Sequence, residues 1–190
     1  MSAPALYIVV CGAPLAARIG DGVREARARG WIPVVVPTEA SRRWVDEVDL
    51  NGARIRAGAS SEDDVPPAAA IAVVPATFNT LNAWANGRAD TFALTTLCAA
   101  LGARCPTVAV PFAKHDLAGH PAWLASLAVL RHGGVTIVDA HTGALAQAEP
   151  IQSTTGESIA RAFRWEWALD PLERHESASP GRDFSSSDEG

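Results

Sequence analysis

Four short segments hold the side chains best suited to chemistry, and each follows an apolar run. They are Cys11-Gly12-Ala13-Pro14, Pro37-Thr38-Glu39-Ala40-Ser41, Pro75-Ala76-Thr77-Phe78-Asn79-Thr80 and Pro111-Phe112-Ala113-Lys114-His115. The third is the richest, with three short polar side chains around one aromatic ring. Hydroxyls and unpaired backbone N–H groups ahead of a helix suit a phosphate or a flat polar ring. The same residues also suit an ordinary helix cap, where Thr and Asn are expected in any case. The first segment offers a Gly before a helix N-terminus, which is a weak anion site. It is not GxGxxG, and GxxxxGKS, GxxxxGKT, GxSxG and HExxH are absent from the chain. A dinucleotide fingerprint, a phosphate-binding P-loop, a serine-hydrolase elbow and a zinc protease helix are therefore disfavoured. Cys11, at a strand end, reads as a small core residue rather than a nucleophile.

Lys114 stands out by count. Of the 16 basic residues it is the one Lys, the rest being Arg. An ammonium in that loop would hold a carboxylate as a point charge, or would simply be a solvated loop lysine. His115 and His120 flank it, either as an acid/base group or as exposed loop residues. Asp116 caps the helix that follows or pairs with Lys114. His132 lies at a helix C-terminus, where a cation is favourable and capping accounts for it.

Alternating strands and helices must position these loops. Residues 5–11, 31–36, 68–74, 107–110 and 135–139 are short β-branched or Ala-rich apolar runs, which read as strands buried on both faces. Residues 14–29, 39–48, 80–84, 90–101 and 121–132 read as the helices between them, and 159–169 as a C-terminal helix on the same body. A further short strand falls within 53–56. Strand, helix, strand in this order implies an α/β fold with a doubly wound parallel sheet, Rossmann-like or flavodoxin-like, in a single domain. Ligands bind such sheets beyond the carboxyl ends of the strands, where the four segments lie. Residues 1–172 form that domain, and from 173 the Ser-, Asp- and Glu-rich composition predicts a disordered tail to 190.

Composition removes several classes. The formal net charge is −5 with no basic stripe, which argues against nucleic acid as the main partner. No apolar run is long enough for a membrane helix, and the N-terminus lacks the basic region of a signal peptide. Cys11, Cys98 and Cys105 are odd in number and lack metal-ligand spacing. Neither a disulfide framework nor a metal site is expected, and a reducing, cytoplasmic compartment is.

The motifs in order resemble the homo-oligomeric flavin-containing cysteine decarboxylases, a family that includes phosphopantothenoylcysteine decarboxylase and the lantibiotic peptidyl-cysteine decarboxylases. Pro75 to Thr80, PATFNT, resembles the family's PASANT motif, and LNAWANGRADTFALTTL resembles the stretch that follows it, with landmarks at Ala85, Asn86, Gly87 and Asp90. CGAPLAARI resembles the first loop, TEASRRWV the second, and PFAKHDLAGHPAW occupies the place of PxMNxxMW. PATFNT with ADTFAL is similar to an actinobacterial branch of flavoproteins. The resemblance implies FMN as cofactor, with Gly12, Ala13 and Pro14 near the flavin or its phosphate. It implies hydroxyl donors at Thr38 and Ser41, and contacts to phosphate and ring edge from Ala76, Thr77, Asn79 and Thr80. Phe78 and Trp84 become apolar walls near the cofactor or plain core residues. Lys114 matches the position that grips a substrate carboxylate, and its charge would equally stabilise a reduced flavin. A homotrimer, or an assembly of trimers, is implied, with the cofactor at a subunit interface.

The chain also departs from that pattern. Family decarboxylases carry a catalytic His before the PASANT strand, whereas residues 50–70 here contain none. Ala113 and Leu117 replace both Met positions, and the Cys-containing clamp of several decarboxylases has no counterpart after Asp139. The expected function is flavin-dependent oxidation or decarboxylation of a small thiol-containing or peptidyl-cysteine substrate. The acid/base group would come from His115, His120 or a neighbouring subunit. The alternatives are an FMN-binding protein with other redox chemistry, a non-catalytic partner subunit, or a scaffold that has lost the flavin.

Overall fold

The computed structural model describes residues 3–58 and 65–177. Among them the strands are β1 (Ala5–Val10), β2 (Ile32–Pro37), β3 (Arg54–Ile55), β4 (Ala68–Ala76), β5 (Thr107–Pro111) and β6 (Thr136–Ile137). They pair in the order β3-β2-β1-β4-β5-β6, and every pairing is parallel. All six residues of β1 are buried, which is why the run is continuously apolar. Leu6, Ile8 and Val10 enter one core and Tyr7, Val9 and Cys11 the other, as the two-residue period of a strand dictates.

The helices divide accordingly. α1 (Ile19–Ala28), α7 (Gly156–Ala162) and α8 (Glu166–Ser177) cover the first face. On the second lie α3 (Phe78–Ala85), α4 (Phe92–Gly102) and α6 (Pro121–His132). This is the single-domain, doubly wound α/β arrangement expected. The strand order reverses between β1 and β4, and such a reversal opens a crevice above the sheet.

Several elements differ in extent from expectation, each for a local reason. Residues 14–29 split into a 3-10 turn at Pro14–Arg18 and then α1. Arg18 in that turn donates to the carbonyls of Ala160 and Arg161, at 3.1 and 2.8 Å, and so ties it to α7. The second helix is one 3-10 turn, Glu39–Ser41, followed by a single α-turn, α2 (Arg42–Val45). α3 begins at Phe78, two residues early, so half of PATFNT is already helical. A short helix, α5 (His115–Ala118), forms where none was anticipated.

The last strand stops at Ile137, because the Asp139 carboxylate gathers the amides of its own loop. It accepts from the backbone N–H of His141, Thr142 and Glu149 at 3.0, 2.9 and 2.7 Å, and from the Thr142 hydroxyl at 2.9 Å. Burial pushes this carboxyl up, but those donors outweigh it and hold it below the usual carboxylate range. Residues 159–169 form two helices rather than one, since the chain turns to an extended conformation at Phe163. Trp165 just beyond packs on α1 at Gly22, where a Cβ would come within 2.5 Å of the indole. α8 runs through the boundary expected at 172, and the tail from 178 lies outside the described residues. Among the described residues no helix is long and apolar enough to cross a membrane.

Candidate functional site

Backbone bonds level the strand ends. The Thr38 N–H donates to the Val10 carbonyl at 2.9 Å, Cys11 to Pro75 at 3.2 Å, and Phe112 to Ala76 at 2.8 Å. The loops after β2, β1, β4 and β5 therefore start on one line. Above them lies a cavity of about 620 Å³. Gly12, Ala13 and Pro14 contribute from β1, Thr38 from β2, Thr77, Asn79 and Thr80 from β4, and Lys114 from β5. Gly12 is needed for close approach, since a Cβ there would sit 2.6 Å from the Ala40 carbonyl oxygen.

The hydroxyls of the β4 loop face one another. Thr77 and Thr80 Oγ1 are 3.1 Å apart, and the Cys11 thiol donates to Thr80 Oγ1 at 3.3 Å. One hydroxyl proton closes the Thr–Thr contact and the other stays available. Thr77 occupies the N-cap position of α3 but its side chain caps no amide. The first-turn N–H groups of α3 are thus left to an incoming acceptor. Burial pushes the Cys11 thiol up, against weaker opposing hydrogen bonds from Thr80 and Thr77. It therefore stays protonated and acts as a donor beneath the cavity, not as a nucleophile.

The hydroxyls of the β2 loop are engaged elsewhere. Thr38 Oγ1 donates to the Val10 carbonyl at 3.1 Å, and Ser41 Oγ donates to the Thr38 carbonyl at 2.8 Å. Ser41 is fully buried and lies outside the cavity wall, as does Ala76 within β4. Where Thr38 and Ser41 were expected to offer hydroxyl protons to a ligand, the Thr38 proton is donated to the end of β1 and the Ser41 proton within its own loop. Ser41 is a helix-entry residue, and Thr38 Oγ1 keeps its lone pairs toward the cavity it lines.

At the β5 end, Lys114 is exposed and occupies the N-cap position of α5. Its backbone forms a one-residue parallel bridge with Ile151. The Ile151 N–H donates to Ala113 at 2.8 Å and the His115 N–H donates to Ile151 at 2.9 Å. That bridge brings Ile151, Gln152, Ser153 and Gly156 into the wall, a contribution from after the sheet that local sequence gave no hint of. Asp116 makes no ion pair with Lys114 and stays in the first turn of α5.

Neither His115 nor His120 lines the cavity. His115 is exposed. His120 caps α6, its Nδ1 accepting from the Ala122 N–H at 3.1 Å. Its ring stands edge-on to Phe78, 6.3 Å between centroids. Phe78 does line the cavity, backed by Trp123 in a near-parallel stack at 6.4 Å. Trp84 is core: it is fully buried and donates its Nε1–H to the Leu97 carbonyl at 3.1 Å.

Sequence reasoning passed over Arg43 and Trp44, which also line the cavity. The Arg43 guanidinium lies 3.8 Å from the Trp44 ring centre. A charged residue beside an aromatic one in a helix reads as a solvated face, and only the fold brings the pair to the strand ends. With both cations in place, the wall holds Arg43 and Lys114 and no Asp or Glu among the described residues.

Comparison with known proteins gives the same direction. A family model described as Flavoprotein matches residues 27–160. A coenzyme A biosynthesis bifunctional protein of Mycobacterium tuberculosis is 31% identical over 125 residues, covering 60% of this chain and 29% of that protein. A cysteine/cysteine sulfinic acid decarboxylase of an unknown prokaryotic organism is 38% identical over 74 residues, covering 39% of this chain and 20% of its own length. The chain thus spans less than a third of these curated relatives. Among solved structures, an FMN-dependent cysteine decarboxylase from thioviridamide biosynthesis superposes with a TM-score of 0.63 at 18% identity, over 90% of this chain and 98% of that one. At that identity the likeness is one of fold.

Proposed function

The chain belongs to the flavoprotein family, and from that premise we propose that it binds FMN in the strand-end cavity. There it would act on a small thiol-containing or peptidyl-cysteine substrate, by flavin-dependent oxidation and decarboxylation. The observation that carries this is the composition of the wall. One cavity of about 620 Å³, a size usual for cofactor sites, combines hydroxyl and amide donors, aromatic faces and two cations without a carboxylate. Such a wall favours a flat ligand bearing an oxyanion.

In this reading the α3 amides, the free proton of the Thr77–Thr80 pair and Asn79 hold polar atoms of the cofactor. Phe78 and Trp44 give flat apolar surface against which a ring packs. Bound flavin supplies the two-electron acceptor. Lys114 holds the substrate carboxylate at the β5 end and orients the group to be oxidised. Leu117 is 47% exposed, and on the neighbouring α6 Leu124 is 70% and Val129 48% exposed. Leu117 lines the cavity, and these exposed apolar side chains support burial of this side against another copy of the chain in a homotrimer or an assembly of trimers.

A second reading is favoured by the position of the histidines. Since neither His115 nor His120 lines the wall, a proton donor or acceptor would have to come from a neighbouring subunit. Failing that, the protein binds FMN for other redox chemistry or as a non-catalytic partner.

The absorption spectrum of purified protein tests the cofactor: flavin bands released as FMN on denaturation are expected, and a colourless protein that takes up no added FMN overturns both readings. Incubation of FMN-loaded protein with cysteine-terminated peptides and with phosphopantothenoylcysteine separates them. Loss of carbon dioxide supports the first, and unchanged masses with FMN bound support the second.

A further inference from the structure

Arg43 has no assigned task, and its setting differs from that of the other arginines near it. Arg42 pairs with Glu39 at 2.8 Å, Arg18 and Arg24 share Asp21, and Arg29 pairs with Glu25 at 2.8 Å and Asp170 at 2.7 Å. Arg43 forms no ion pair among the described residues, in a chain whose acidic residues outnumber its basic ones. Its contact is the Trp44 face at 3.8 Å. Cation–π attraction seats the guanidinium over the indole face, and with no carboxylate partner its N–H groups remain available to an oxyanion.

The surroundings favour a ligand anion as its partner. On one side Arg43 and Trp44 border a cleft of about 600 Å³, where Glu47 and Glu157 balance Arg18 and Arg161. On the other side they border the main cavity, where no acid balances them. At this end of the cavity the Thr38 and Ser41 hydroxyl protons are already donated to carbonyls. A ligand anion here has no free hydroxyl of the β2 loop to bind, and Arg43 is the donor that the loop offers instead. Lys114 enters the cavity from the far side. The ends of β2 and β5 are separated by β1 and β4, three strand spacings or about 14 Å.

We propose that Arg43, seated over the Trp44 ring, binds the phosphate monoester of the cofactor at the β2 end of the cavity, leaving Lys114 at the opposite end for the substrate carboxylate. The inference rests on the FMN reading above and adds a residue that selects the phosphorylated cofactor. The cavity then has two anion-binding ends with different tasks.

Parallel titrations with FMN and with riboflavin, which has the same ring system without the phosphate, test this. Wild-type protein prefers FMN. Arg43→Gln loses roughly ten- to hundredfold in FMN affinity while riboflavin affinity is unchanged. Arg43→Lys recovers part of the loss, because the charge remains but the fork does not. Lys114→Gln leaves the FMN-to-riboflavin ratio as in wild type. Added salt weakens FMN binding more in wild type than in Arg43→Gln. A wild-type preference for FMN that persists in Arg43→Gln overturns this inference alone. Wild-type protein that binds neither flavin overturns the FMN reading and this inference together. Arg43 is exposed, and circular dichroism of each variant verifies that the fold is retained.

Discussion

The β2–α2 and β4–α3 units carry the same residue types in the same order and use them in opposite ways. Each has a strand ending in Pro or Ala, then short hydroxyl residues, then a helix bearing a Trp. After β2 the hydroxyls of Thr38 and Ser41 turn inward to backbone carbonyls, while Trp44 lies at the cavity and carries a cation. After β4 the hydroxyls of Thr77 and Thr80 face the cavity, while Trp84 is fully buried. Helix length explains the exchange. α3 runs eight residues and reaches far enough to place its Trp under α4, whereas the single turn of α2 sends Val45 into the core and leaves Trp44 half-buried at its edge. A hydroxyl at a strand end is a ligand donor only where the backbone beside it is already satisfied.

Substitutions test that contrast, beginning with the largest effect. Trp84→Ala removes a fully buried indole and its hydrogen bond and is expected to lower stability by about 3–5 kcal/mol. Trp44→Ala should lower stability by less than about 1 kcal/mol while weakening FMN binding. Denaturant melts and FMN titrations of the pair would break the contrast if the two effects were reversed.

Asp139 is the extreme of an inward-turned polar group, and Asp139→Asn should lower stability by roughly 2 kcal/mol at neutral pH. Its carboxyl is depressed in the folded state, so its contribution is present above the ordinary carboxylate range and fades as pH falls through the folded value. Thermal melts from pH 7 to pH 3 should show a steeper acid limb in wild type than in Asp139→Asn.

A finer test compares two hydroxyl deletions. Thr80→Val should weaken FMN binding about tenfold, since it strips the partner of both Cys11 and Thr77. Ser41→Ala should cost about 1 kcal/mol of stability and leave FMN affinity within about twofold. Equal losses of FMN affinity in both would erase the distinction between the two loops.

Much of the fold was legible because its strands are buried on both faces. ALYIVV and AAAIAVV can be little else, and the polar segments that end them mark the ligand edge of a parallel sheet. Donor direction was not legible. Thr38 and Thr80 look alike in sequence, and the difference lies in which carbonyl the register of β1 and β2 brings within reach. The break at Phe163 was hidden because residues 159–169 keep a helical spacing across it, and the Trp165–Gly22 contact that fixes it spans most of the chain. Arg43 was missed for a related reason: its partner is an adjacent ring, and its exposure to a cavity depends on where α2 stops.

The one-residue bridge between Lys114 and Ile151 separates two kinds of change that the protein can undergo. The four strand ends are locked by sheet register, so the floor of the cavity varies only if the sheet does. The far wall hangs on the connection between β6 and α7, which is tied back near its start by the Val138–Leu145 bridge and the Ala146 N–H donating to the Ile137 carbonyl at 2.8 Å, and again at the Lys114–Ile151 bridge. Insertions or substitutions on either side of Ile151 would alter how far Lys114 stands from the floor without disturbing a strand. Exchange of residues 150–155 as a cassette, which leaves the Ala146 and Glu149 bonds in place, is therefore the economical route to a cavity that accepts ligands of another length.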